Sequence, residues 1–407
     1  MLERLRVKNF KLLRDVELDF QGDVPTVLIG PNASGKSTVI EVLDFLARCA
    51  NEGLEPALVA HGGMSAIRTA GVTAPLEIES SWRIADYGAD KLIWTLSLDA
   101  GANGQVIIRS ESLHDGERAL LSTRGSGARI ALSEGEPPKP SPSRLKLPPR
   151  PPPPVHTLAF QAWVDPNRYL GLGWLRHVVS DIRVMGAMAS APPWARASFE
   201  RASARDSMVL STQTFVDREG LGLATALYNL QTDHGDAWER LQRAFRGEFP
   251  FVRRIVFPAD PGGSRISFAL EDERFAGRRI YASEMSDGMI VYLCLLSLVL
   301  HPDQKAVLAL DEPDAHLHPS AVRRLLALAH ERHGHRPLLM VTHSNALLDE
   351  LRDPAASIRI VESNKEGARI RKLDPEALKA WRSQYTLSEM RRTGLLDPSN
   401  SAYGSDE

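Results

Sequence analysis

The chain opens on alternation. Met1–Lys8 sets charged residues between apolar ones, the period-two pattern of a strand with one buried face, and a turn at Asn9-Phe10-Lys11 leads into a second such run through Val16-Glu17-Leu18-Asp19-Phe20. The apolar run Val27-Leu28-Ile29 predicts a third, buried strand, and an amphipathic helical stretch starts at Val39. From Leu76 to Ser112 strict alternation returns, as in Leu76-Glu77-Ile78-Glu79 and Leu92–Leu98, punctuated by Asp/Gly turns, which predicts an antiparallel sheet. Helical periodicity dominates from Phe160 to Arg246, most clearly over Leu221–Leu230 and Trp238–Phe245. Short strands follow near Arg254–Phe257, Arg265–Leu270 and Arg279–Tyr281. Met289–Leu300 is apolar on every face, yet falls well short of the ~20 residues that cross a bilayer, so it predicts a buried core helix. Two further apolar strands, Val307–Leu310 and Pro337–Thr342, complete an α/β pattern.

These changes of period predict six segments: 1–75, the N-terminal part of a nucleotide-binding domain; 76–115, an antiparallel β subdomain; 116–155, a flexible insertion; 156–250, an α-helical lobe; 251–375, the C-terminal part of the first domain; and 376–407, a polar tail. The insertion ends in Pro148-Pro149-Arg150-Pro151-Pro152-Pro153-Pro154, which can neither pair in a sheet nor continue a helix. Such a tract is preset as an extended ligand for an aromatic groove, but composition favours a spacer.

Chemistry enters between the third strand and the helix after it. Gly30-Pro31-Asn32-Ala33-Ser34-Gly35-Lys36-Ser37-Thr38 is a phosphate-binding loop. Its glycines let the backbone turn successive N–H groups toward a polyphosphate of ATP or GTP, and the following helix adds its positive end. In that arrangement Lys36 reaches the β- and γ-phosphates and the Ser37 hydroxyl joins the shell of a Mg²⁺ ion. The strand Val307–Leu310 ends in Asp311-Glu312, where the first acid is placed to hold the Mg²⁺ and the second to act as general base on the attacking water. The strand Pro337–Thr342 ends at His343, which a parallel sheet would bring to the same edge, within reach of the γ-phosphate. Ser286-Asp287-Gly288, directly before the apolar helix, is both a good N-cap and a second anion-binding surface. A head-to-tail dimer, with Ser286 of one copy capping the phosphate held by Lys36 of the other, lets both surfaces serve one nucleotide.

The composition narrows the reading. With 407 residues, 43% hydrophobic content and a net charge of −2, the chain has a real core and no global basic field, so any nucleic-acid contact must use local clusters such as Arg253-Arg254, Arg278-Arg279 and Arg323-Arg324. Solvated surface arginines are the default account of those. Cys49 and Cys294 sit in apolar helical contexts and read as buried thiols of a reducing compartment. Neither a signal peptide nor a membrane span is evident, which points to the cytoplasm and to no direct membrane insertion. His316, His318, His330, His333 and His335 lack the spacing and the cysteines of a structural zinc site.

The order of phosphate loop, Ser-Asp-Gly, Asp-Glu-Pro and strand-His resembles the ATP-binding-cassette ATPases. More narrowly it is similar to the soluble branch of RecF, Rad50, the SMC proteins and the OLD-family ATPases, in the short form labelled an AAA-type ATPase. Val7-Lys8-Asn9-Phe10-Lys11 resembles that branch's start, Met285-Ser286-Asp287-Gly288-Met289 its signature, Asp311–Pro319 its acidic strand and D-loop, and Val341-Thr342-His343-Ser344 its switch histidine. Gly222–Leu227, leading to Phe249-Pro250-Phe251, is similar to the lobe before the signature. The resemblance implies a P-loop ATPase that binds and hydrolyses ATP with Mg²⁺, closes as a homodimer or higher homo-oligomer around the nucleotide, and works in DNA maintenance or phage defence with a separate effector protein, DNA being a candidate input. The alternatives are the ATPase subunit of a membrane transporter and an ATP-locked scaffold holding a toxin. No heptad run marks coiled-coil arms, and no spaced acidic cluster follows Val361 for a nuclease. Gln161 is the nearest candidate for the family's Mg²⁺-sensing glutamine.

Overall fold

The computed structural model describes residues 1–22, 24–84, 89–101, 105–116, 118–124, 127–130, 157–162, 169–186, 188, 203–212, 214–258, 265–274, 278–303, 306–315, 317–331, 336–382 and 384–393. The proline tract and the last residues of the tail lie outside them, as do His316, His333 and His335. Two units are distinguished: Met1–Gln21, Gly30–Ile182 and Val361–Arg371 form the first, and Gly22–Ile29, Arg183–Ile360 and Lys372–Glu407 the second.

The alternating runs build the first unit. Its seven strands are antiparallel throughout, in the order Leu13–Asp19, Leu2–Phe10, Leu76–Ile84, Ala89–Ala100, Val106–Asp115, Arg118–Arg124 and Gly127–Ile130. The sheet therefore takes in the N-terminal hairpin and runs past the sequence boundary at 115, into the stretch that composition assigns to an insertion. Trp82 and Trp94 are buried on it. Glu111 is buried as well, accepting hydrogen bonds from Trp94 Nε1 at 3.1 Å and from the Ala159 backbone at 2.8 Å. Burial pushes its carboxyl up to about 7. The helix Lys36–Asn51 belongs to this unit and buries Val39, Ile40, Val42, Leu43, Phe45 and Leu46. Gln161, in the short helix Ala159–Ala162, donates to the Cys49 carbonyl at 2.9 Å. That places it at the C-terminal end of the loop helix, ~20 Å from Gly35 at 1.5 Å per residue, so Gln161 closes a helix end and is not the Mg²⁺-sensing glutamine.

In the second unit the uniformly apolar runs make a parallel sheet, as expected where both faces are covered. The parallel strands follow the order Ile358–Asn364 (which belongs to this unit as far as Ile360), Thr26–Ile29, Leu338–Val341, Leu308–Asp311 and Arg183–Met185, and Gly367–Lys372 is the sixth strand, beside Ile358–Asn364. The last of these strands lies inside the stretch read as a helical lobe; at three residues it is too short for periodicity to reveal. Register aligns the strand ends: Leu28 stands beside Val341, and Val341 beside Asp311. The helix Asp287–Leu300 buries every residue from Met289 to Leu300, packing with the helices Leu223–Asp233, Gly235–Glu248 and Pro319–His330. Each fully buried leucine there is worth ~1.5–3 kcal/mol. A three-stranded antiparallel sheet, Val252–Val256, Ala269–Asp272 and Arg279–Tyr281, takes up the strands predicted near Arg254–Phe257 and Arg279–Tyr281, while the one predicted over Arg265–Leu270 is split, its Arg265–Ile266 pairing with Met208–Val209 instead. Both cysteines are free and buried, and burial raises both thiol pKa values. Among the described residues no helix is long and apolar enough to cross a membrane.

Candidate nucleotide site

The phosphate loop is built by backbone geometry that only particular residues tolerate. Gly30 has φ 151°, and a Cβ there would fall 2.0 Å from the Val361 carbonyl oxygen, so no larger residue fits. Gly35, at φ 103°, caps the helix Lys36–Asn51, and Ala33 takes a left-handed φ of 59° between them. That helix starts with no acidic residue in its first turn and no side-chain cap. Its N-terminal N–H groups and dipole are thus uncontested by a carboxylate of the helix itself. Lys36 is buried and donates from Nζ to the Gly30 carbonyl at 3.1 Å and the Pro31 carbonyl at 2.7 Å, which holds the ammonium over the loop. Ser34 Oγ is buried without a hydrogen-bond partner among the described residues. Pro31, Asn32, Ala33 and Ser37 are exposed, and Thr38 is buried. A cradle of N–H groups with a buried cation above it fits a polyphosphate.

The acidic tip belongs to the second unit. Asp311 is the last residue of its strand, and Glu312 follows with φ 49°, a left-handed conformation costing ~1–3 kcal/mol in a non-glycine residue. The Glu312 backbone N–H donates to Val341 O at 2.9 Å, which fixes this turn to the neighbouring strand end. His343 Nε2 lies 3.7 Å from Glu312 Oε1, with the carboxylate 54% and the imidazole 38% exposed. The structure thus brings Asp311, Glu312 and His343 together. Two residues not singled out from the sequence tie the loops: the buried Thr342 donates from Oγ1 to Asp314 Oδ1 at 2.6 Å and accepts from the Ser344 N–H at 2.9 Å. Ser37 and Asp311, the residues assigned to the metal, offer a hydroxyl and a carboxylate oxygen, the ligand types Mg²⁺ takes.

Ser286 caps its own helix, its side chain accepting from the Met289 N–H at 3.4 Å, and stays exposed with Asp287. Behind this turn stands Arg205, whose side chain is 2% exposed. It donates to the Ala282 carbonyl at 2.7 Å, to the Met285 carbonyl, and to Asp287 Oδ1 at 2.6 Å. Nothing local in the sequence marks Arg205, since its partners lie 77 to 82 residues away. Arg205→Ala should destabilise the chain by ~3 kcal/mol in urea unfolding, because it leaves buried carbonyls unpaired. One arginine of each basic cluster is in a surface ion pair: Arg254 with Glu271 at 2.6 Å, Arg278 with Glu284 at 2.5 Å and Arg323 with Glu350 at 2.7 Å.

Comparison with known proteins agrees with the motifs. Residues 1–79, which carry the phosphate loop, match the family "AAA ATPase domain". Residues 196–349, which carry the signature, acidic strand and switch histidine, match "AAA domain, putative AbiEii toxin, Type IV TA system". None of the curated proteins searched matches the chain. Among solved structures, an SMC head bound to the C-winged helix domain of ScpA is similar at 15% identity and TM-score 0.54, over 93% of this chain and 99% of that one. An SMC head with an extended coiled coil, bound to the C-terminal domain of ScpA derived from Pyrococcus furiosus, is similar at 13% identity and TM-score 0.51, over 96% of this chain and 99% of that one. The fold is therefore the α/β fold of SMC heads. The motifs and the two family matches, each over less than half of the chain, are those of P-loop ATPases.

Proposed function

We propose that the chain binds and hydrolyses ATP, and that nucleotide binding closes two copies head to tail. The observation that carries this reading is that one chain holds both a cradle free of carboxylates in its helix's first turn, Gly30–Thr38, and an acidic strand tip within 3.7 Å of a histidine. Lys36 and the loop N–H groups bind the phosphates, with Ser37 and Asp311 on the Mg²⁺, which supplies charge neutralisation of the phosphate oxygens. Glu312 takes the proton of the attacking water, and His343, 3.7 Å from that carboxylate, holds the γ-phosphate side of the site. Ser286, exposed and only loosely tied as a cap, is the group offered to the second copy. Ser286→Arg should leave ATP affinity of the single chain within about threefold while abolishing the ATP-dependent dimer. A stable ATP-bound dimer of that variant would refute the trans arrangement.

The biological role that best fits is DNA maintenance or phage defence with a separate effector. SMC heads of the same fold have been solved with a domain of ScpA bound, which supports a partner docking on the head here. The test is steady-state ATP turnover with and without linear duplex DNA, using Lys36→Ala as the blank. Stimulation of at least about tenfold makes DNA the input. Absence of stimulation with low turnover favours the second reading, an ATP-locked scaffold for a toxin, which the family description of residues 196–349 supports. A partner co-purifying only with a hydrolysis-deficient variant would then identify its cargo.

A further inference from the structure

A cluster far from the nucleotide motifs in sequence has the chemistry of a metal site. His301 follows the last residue of the helix Asp287–Leu300, and His234 occupies the turn between the helices Leu223–Asp233 and Gly235–Glu248. With Asp303 they offer two imidazole nitrogens and a carboxylate oxygen, all within 4.8 Å of one another. His234 Nε2 lies 3.3 Å from Asp303 Oδ2. A surface ion pair would explain that contact alone, but not His301. That residue is 1% exposed, its Nδ1 accepts a long 3.3 Å bond from the Asp303 N–H, and its Nε2 is buried with no hydrogen-bond partner among the described residues. A buried polar nitrogen left unpaired costs free energy that a bound ion would recover.

We propose that His234, His301 and Asp303 bind a divalent transition-metal ion of the zinc class. Two imidazoles and one carboxylate are the ligand set such ions select over Mg²⁺ or Ca²⁺, and three protein ligands leave a fourth position for water. Phe215 packs on the His301 ring at 4.2 Å between centroids, and Arg336 fixes the backbone beneath it by donating to the His301 and Pro302 carbonyls at 3.1 and 2.6 Å. His234 is half-buried and Asp303 exposed, and small rotations of these two bring the donors to the ~2.0–2.2 Å that a zinc-class ion requires. The ion staples the turn between two helices to the C-terminal end of the helix that begins at the signature.

The test uses the untagged full chain, stripped with chelator and free of nucleotide. Zn²⁺ is titrated by calorimetry, and Co²⁺ is followed by its visible absorption. One equivalent should bind with Kd below about 1 µM. His234→Ala and Asp303→Asn should each weaken it more than about tenfold and lose the Co²⁺ band, with unchanged far-ultraviolet circular dichroism. Both variants alter exposed or half-buried residues, so the outcome does not depend on removing the buried ring. Failure of the wild-type chain to take up a stoichiometric ion, or undiminished uptake in both variants, would overturn the proposal.

Discussion

Lys36→Ala should weaken ATP binding by at least ~100-fold, about 2.7 kcal/mol, and reduce turnover to the level of a blank. The lysine is buried over the loop, and its ammonium donates to the Gly30 and Pro31 carbonyls. Its removal therefore deletes the buried positive charge positioned above the cradle while the N–H groups of the helix start remain. Equilibrium binding of a fluorescent ATP analogue measures the loss, and thermal unfolding checks that the chain is still folded. Lys36→Arg should not rescue it, because a planar guanidinium cannot occupy the position of a compact ammonium above the loop.

Glu312→Gln should separate binding from chemistry. A positioned general base contributes about 10²–10⁴ in rate, so turnover should fall by roughly 1,000-fold while ATP affinity stays within a few-fold of the parent. The amide has the shape of the carboxylate and accepts the same left-handed backbone, which the Val341 carbonyl fixes through the Glu312 N–H. With hydrolysis blocked, the ATP-closed state should accumulate. Parental turnover in this variant would remove Glu312 from the role of base.

The phosphate loop could be read directly from residues because its spacing encodes backbone demands. Gly30 stands where a Cβ would strike the Val361 oxygen, and Gly35 where φ reaches 103°. The acidic strand was legible for a similar reason: an unbroken apolar run followed by two acids has few other uses. What escaped the sequence is what depends on distant neighbours. Arg205 is one arginine among many until the fold buries it beneath the signature turn. Arg183–Met185 joins the parallel sheet only because Leu308–Leu310 pairs with it. The strands Arg118–Arg124 and Gly127–Ile130 lie in a stretch whose composition is dominated by the prolines after it, and Gln161 is drawn to a helix end rather than to the nucleotide loop. His234 and His301 are 67 positions apart, beyond any ligand spacing that a linear motif records.

The mass of the Glu312→Gln chain in solution tests the proposed head-to-tail closure most directly. Sedimentation velocity at saturating Mg·ATP should show a doubling of the mass found without nucleotide, reversed when Ser286→Arg is added to the same chain. A nucleotide-saturated Glu312→Gln chain that sediments at its nucleotide-free mass would contradict it.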